Sequence, residues 1–151
     1  MKKIFIGADH RGFAVKQEIM PYLTKAHDFV EVIDCGAGKY DKDDDYNDYA
    51  NAVVKAVSRD LDNNYGILIC GSSFGVNIQA NRFKHIRAVN PHNEELAKLS
   101  REHNNANVLC LSADFLKIKE IKDIIYTFFH TKYSGKDRYE RRNQRLDKGN
   151  N

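Results

Sequence analysis

The sequence predicts an α/β fold: three layers, with a five-stranded parallel sheet covered by helices on both faces. Three observations carry that expectation. Five short runs rich in β-branched and aliphatic residues recur along the chain; the segments between them have helical periodicity; and the runs are continuously apolar instead of alternating in and out. Strands buried on both faces read in this way, and parallel strands need helical crossovers. At 151 residues, 42% apolar and 30% charged, the chain fits one domain over residues 1–151.

In chain order, "KIFIG" (3–7) is the first strand and "FAVKQEIMPYLTKA" (13–26) the first helix, which Pro21 should kink or divide. "FVEVID" (29–34) is the second strand. The acidic run "DKDDDYND" (41–48) leads into the helical pattern of residues 46–61 and is expected to supply caps and first-turn carboxylates. "GILIC" (66–70) is the third strand and runs straight into a Gly/Ser turn that opens a helix. "IRAV" (86–89), the helix "NEELAKLSREH" (93–103), "NVLCLS" (107–112) and the helical residues 115–133 follow. From about residue 135 to 151 the chain is polar and rich in arginine, a C-terminal arm expected to be a helix lying over a neighbour.

Composition narrows the function. The net charge of +3 is modest and mixed in sign, so no nucleic-acid partner is expected. The apolar stretch near the start is broken by Asp9 and His10, too early for a signal peptide or a membrane span. The expectation is a soluble, cytoplasmic protein. Cys35, Cys70 and Cys110 are odd in number and widely spaced, which argues against a disulfide framework or a zinc knuckle and for free thiols.

In an open parallel sheet, ligands bind beyond the carboxyl ends of the strands. The candidates are therefore Asp9 and His10 after the first strand, Cys35 and Gly36 after the second, and Cys70 with "GSSFG" after the third. A free cysteine is commonly inert packing. Cys70 stands instead at a strand tip beside unpaired N–H groups at a helix start, which hold anions and favour a thiolate. The turn is neither G-x-G-x-x-G nor a triphosphate-binding P-loop, and a phosphatase-type loop would need arginine where Val76 stands. What remains is a loop able to surround one small oxyanion, with a thiol and two hydroxyls beside it. Asp9 and His10 also fit a cap followed by a solvent-facing imidazole, and His103 a residue favoured by a helix C-terminus. Arg138 and Arg142, four apart, share one helix face and can clamp a phosphate, although a solvated basic helix has the same pattern.

With these residues in place the chain resembles the B-type ribose-5-phosphate isomerases, a family that includes related aldose 6-phosphate isomerases. The resemblance rests on "GADHRGFAVK", "DCGAG", "DYNDYA", "GILICGSSFGVNIQANRFKHIRA", "LSREHNNANVL" and "GKDRYERR", nearly end to end. It implies a Rossmann-like αβα domain working as a homodimer or a dimer of dimers, with sites shared between subunits and no metal or organic cofactor. The implied activity interconverts ribose 5-phosphate and ribulose 5-phosphate through a cis-enediolate, in the pentose phosphate pathway.

Carried over residue by residue, the resemblance makes Cys70 the base that moves the proton between C2 and C1. Ser72, where the family usually has threonine, helps move the proton between O1 and O2. The N–H groups from Gly71 through Ser73 and Phe74 to Gly75 stabilise the enediolate. His103, assisted by Asp9, opens the furanose ring; His10, Arg138 and Arg142 hold the phosphate, and Asn104 joins the substrate contacts. A thiol in this turn is expected to need only a modest lowering from its reference value of about 8.5 to serve as base.

Three positions depart from the family pattern. Ser73 replaces a glycine, where a positive φ costs a serine more than a glycine. Asn47 replaces a proline, a small change in turn rigidity. Asp114 replaces an arginine common near the phosphate, which it would repel unless turned away or paired. The competing readings are the same isomerisation of a six-carbon aldose phosphate, allose or galactose 6-phosphate, and a non-catalytic sugar-phosphate-binding subunit. A redox-sensing thiol is disfavoured, because no resolving cysteine lies near Cys70 in sequence.

Overall fold

Each apolar run forms a strand, and the strands assemble in the order β2-β1-β3-β5-β4, all parallel, in a computed structural model that describes residues 2–26 and 30–149. The elements are β1 (Lys2–Ala8), α1 (Phe13–Ala26), β2 (Val30–Asp34), α2 (Tyr46–Val57), β3 (Asn64–Cys70), α3 (Phe74–Ala80), β4 (Ala88–Val89), α4 (Glu94–Asn104), β5 (Val108–Ser112), α5 (Ile118–His130) and α6 (Asp137–Lys148). The expected start of the second strand at residue 29 lies outside the described residues.

Alternate strand residues feed two cores. Ile4 and Ile6 of β1 and Ile67 and Ile69 of β3 face one side, where Ile19 and Leu23 of α1, Ala97 of α4 and Ile121, Ile125 and Phe128 of α5 cover them. Phe5, Leu68 and Cys70 face the other, against Val53, Val54 and Val57 of α2 and Val76 and Ala80 of α3. With Ala50, the α2 set follows the i, i+3, i+4, i+7 spacing of one helical face. This is the three-layer sandwich expected from the sequence.

Two local expectations change. Pro21 does not divide the first helix: α1 is continuous through it, with the ring on the exposed side, where the carbonyl it leaves unbonded can meet water. The fourth strand is only Ala88–Val89, because the backbone N–H of Arg87 is taken by the Asn107 side chain at 2.8 Å. The arm docks on its own chain. Arg87 Nη1 donates to both oxygens of Asp147 at 2.7 and 2.9 Å, and Asn143, the one buried residue of α6, donates to the carbonyl of His103 at 3.1 Å. Its hold is polar, while Leu146 stays 60% exposed.

The strand order reverses direction between β1 and β3, since the chain goes from β1 outward to β2 and returns on the other side. The crevice at that switch point, beyond the carboxyl ends, is where such sheets bind ligands. No described helix is long and apolar enough to cross a membrane.

Candidate active site

Two loops meet at the switch point. After β1, the chain turns into α1 through Asp9, His10, Arg11 and Gly12. Asp9 is buried, and its Oδ1 accepts the N–H groups of Arg11 at 3.0 Å and Gly12 at 3.1 Å, so one of its oxygens caps the turn. Gly12 has no substitute here, because a Cβ would stand 2.5 Å from the carbonyl oxygen of Ile69. The helix start is thereby pressed onto the end of β3, beside Cys70.

Cys70 is buried at the tip of β3. Burial pushes its thiol up from its ordinary value, over the opposing pull of the N–H groups of Val76, Ser73 and Gly75, with the negative charge of Asp9 adding to the rise. This corrects the expected lowering. The turn does bring N–H donors to the sulfur, but desolvation outweighs them, and part of the expected oxyanion cradle faces the thiol. The Phe74 N–H points at Ser72 Oγ at 3.3 Å. Ser73 has φ +69°, the left-handed conformation anticipated for a position usually glycine, at a cost of roughly 1–2 kcal/mol.

Over Gly71 lies an ion pair that explains Asp114. Arg11 Nε donates to Asp114 Oδ2 at 3.0 Å, and Arg11 Nη2 donates to the same oxygen. A Cβ on Gly71 would come within 2.7 Å of that oxygen, so the pair straps the turn from the β1 and β5 sides. The Asp114 carboxylate is neutralised by an arginine from the neighbouring loop. Tyr46 packs flat on Gly75, where a Cβ would lie 2.6 Å from its ring. A cleft of about 410 Å³ opens beside the turn, lined by Ser72, Ser73, Phe74, Asn90, His92 and Phe115 among others. Asn90 and His92 carry no signal in the sequence, since the chain reaches the cleft there through a loop after the shortest strand.

Asp44 was also missed. The acidic run was expected to cap α2, yet the N-cap residue Asp45 makes no side-chain cap bond. Asp44 turns inward instead and meets His10, its Oδ1 2.7 Å from Nδ1 and accepting the His10 backbone N–H at 3.1 Å. Hydrogen bonding to Asp44 raises the His10 pKa, against burial. Burial would raise the Asp44 carboxyl, but the bonds from His10 hold it below its usual value. Ligand atoms of Asp9, His10 and Asp44 lie within 4.8 Å of one another. They already bond to one another or to backbone N–H groups, so the cluster has the character of a hydrogen-bonded network.

The remaining expected residues are elsewhere. β5 runs from Val108, opposite Gly66, to Ser112, opposite Cys70, and His103 and Asn104 end α4 just before it begins. They lie at the amino edge of the sheet, a strand length of roughly 13 Å from the Cys70 edge. There the His103 ring stacks on Tyr139, centroids 4.2 Å apart. Arg142 and Asn104 line a second cleft of about 460 Å³ with Arg145 and Leu146, and Arg138 is exposed on the first turn of α6. One chain therefore gathers Asp9, His10, Cys70, Gly71, Ser72, Ser73, Phe74 and Gly75 at one edge and His103, Asn104, Arg138 and Arg142 at the other. The expected pairing of Asp9 with His103 does not occur within the chain.

Residues 4–146 match the family model described as Ribose/Galactose Isomerase. The ribose-5-phosphate isomerase B of Escherichia coli is 40% identical over 136 residues, covering 89% of this chain and 88% of the relative. The crystal structure of ribose-5-phosphate isomerase B from Mycoplasma genitalium with bound ribulose-5-phosphate superposes with a TM-score of 0.92 at 37% identity, covering 97% of this chain and 94% of that one. The type B ribose 5-phosphate isomerase of Trypanosoma brucei gives 0.93 at 36% identity, covering 98% of each.

Proposed function

From the fact that the chain belongs to the ribose/galactose isomerase family, we propose that it is an aldose–ketose isomerase interconverting ribose 5-phosphate and ribulose 5-phosphate in the pentose phosphate pathway. The observation that carries this reading is Cys70, set at the switch point in a turn of N–H donors. The compared relatives are named for the five-carbon substrate, which favours it over a six-carbon phosphate. The two features that sustained a non-catalytic reading have structural answers, since Ser73 adopts the turn conformation and Asp114 is paired.

In this reading Cys70, as thiolate, takes the proton from C2 of the open-chain sugar and returns it at C1. A thiol whose ionisation is held back by burial is a stronger base once ionised. Ser72 passes the hydroxyl proton between O1 and O2. The N–H groups of Gly71 and Ser72 are those left to meet the enediolate oxygen, since the Phe74 N–H is turned to Ser72 Oγ, and one such donor can be worth about 3 kcal/mol of barrier. His10 holds the phosphate.

His103, Asn104, Arg138 and Arg142 enter the same site from a second copy of the chain, with His103 opening the ring against Asp9 of the first. Two supports converge on that homodimer. The two residue groups are too far apart in one chain to hold one pentose phosphate, and α3 exposes Phe74 at 62% and Ile78 at 58%, four apart on one face beside the turn. The expected location is the cytoplasm.

The test is turnover of ribose 5-phosphate by protein dialysed against a chelator. Ribulose 5-phosphate should form, with kcat still rising through pH 9 because the Cys70 thiol lies above its ordinary value. Absence of turnover would overturn the reading.

A further inference from the structure

Asp44 has no task in the chemistry above, yet its side chain is only 6% exposed and is turned onto His10. One oxygen is committed to His10 through both the ring and the backbone N–H. The other is buried and has no partner in hydrogen-bonding geometry, although the Tyr49 hydroxyl faces the same carboxylate. A largely buried carboxylate bonded to an imidazole is an arrangement whose energy depends on the charge of that imidazole.

The bond to Asp44 fixes which nitrogen of His10 is available. With Nδ1 tied to Oδ1, only Nε2 is free to meet a ligand. A neutral ring in this position carries its proton on Nδ1, and Nε2 then presents a lone pair, which repels a phosphate oxygen. A protonated ring presents Nε2–H, a charge-assisted donor. Asp44 favours the second state over the first.

The other groups around the ring decide less. Asp9, preceding it, adds negative charge but also bonds the backbone of Arg11 and Gly12. Arg11, following it, opposes protonation, yet its guanidinium is drawn aside to Asp114. Tyr40 meets the ring edge-on at 6.4 Å, and Tyr49 acts only through Asp44.

We propose that Asp44 is a positioning residue that holds His10 as an imidazolium, Nε2–H outward, through neutral pH, so that capture of the sugar phosphate at this end of the crevice is governed by the charge of His10. The proposal rests on the reading of His10 as a phosphate ligand. The sign follows from the raised value: the donor form is complete below the ordinary imidazole range, persists above it, and is lost as pH rises through the elevated midpoint.

The experiment follows the His10 ring by NMR on imidazole-labelled protein, alongside kinetics with ribose 5-phosphate, in the native chain and in Asp44→Asn. The asparagine keeps an acceptor for Nδ1–H and removes the charge. The His10 midpoint should fall, and KM at pH 7.5–8 should rise about fivefold, the loss appearing in KM far more than in kcat and shrinking at pH 6, where protonation of the ring is favoured in both proteins. An unchanged midpoint, or a KM loss equal at pH 6 and pH 8, overturns the proposal. If Asp44→Asn does not fold, Asp44→Ser is measured in the same way. The underlying reading has its own readout: ribose 5-phosphate should shift the His10 signal of the native chain. A shift there with no effect of Asp44 defeats the positioning role alone, whereas no shift at all defeats the phosphate reading and the proposal with it.

Discussion

The two edges of the sheet hold the candidate residues by different means. At the carboxyl edge Asp9, His10 and the Cys70 turn are fixed by backbone: Gly12 lies against β3, Asp9 caps its own turn, and N–H groups surround the sulfur. At the amino edge Arg138 and Arg142 stand exposed on α6, an arm held to its own chain by Asp147, Asn143 and a stacked Tyr139. In the proposed function the proton transfer at Cys70 needs sub-ångström placement, which a strand end provides, while two of the three proposed phosphate contacts, Arg138 and Arg142, are long side chains on a docked helix.

The largest effect that would break this contrast is expected at Cys70. Cys70→Ser should lower kcat by a thousandfold or more without loss of fold, because the hydroxyl is far less acidic than the thiol it replaces. The sharper form mixes this variant with His103→Ala after joint refolding. If each site draws one residue from each copy, hybrid dimers regain one intact site, and activity should return to a measurable fraction of the native value. No recovery, with hybrids verified by mass, would mean that the two edges do not serve one site.

A smaller effect is expected from the arm. Arg138→Ala with Arg142→Ala removes two charge-assisted contacts of roughly 1.5–3 kcal/mol each, so KM for ribose 5-phosphate should rise at least a hundredfold. The arm should stay docked through Asp147, with little change in the melting temperature. An unchanged KM would place the phosphate elsewhere and return α6 to a solvated basic helix.

The smallest effect concerns the rigid edge. Ser73→Gly should raise stability by about 0.5–1 kcal/mol, because φ +69° strains a serine and not a glycine. A loss of stability in denaturant titration would mean that the buried Ser73 side chain contributes more than its backbone costs.

The order of strands and helices, the two-sided burial of the sheet and the Cys70 turn were legible in the sequence, because each depends on neighbours within a few residues: an apolar run, a helical period, a glycine and serines after a strand tip. Ser73 was legible for the same reason, since a left-handed turn position is a local demand. Asp44, Arg11 with Asp114, and the separation of His103 from Asp9 were not. Asp44 and His10 are 34 positions apart, and Arg11 and Asp114 are 103 apart, so nothing in local pattern distinguishes these carboxylates from helix caps or surface charge. The crossover connections that place β1, β3 and β5 side by side bring these groups within bonding distance. The same topology carries His103, at the far end of a helix antiparallel to the strands, to the opposite edge. Charge pairing and desolvation act through space, and only the assembled sheet decides which charges share it.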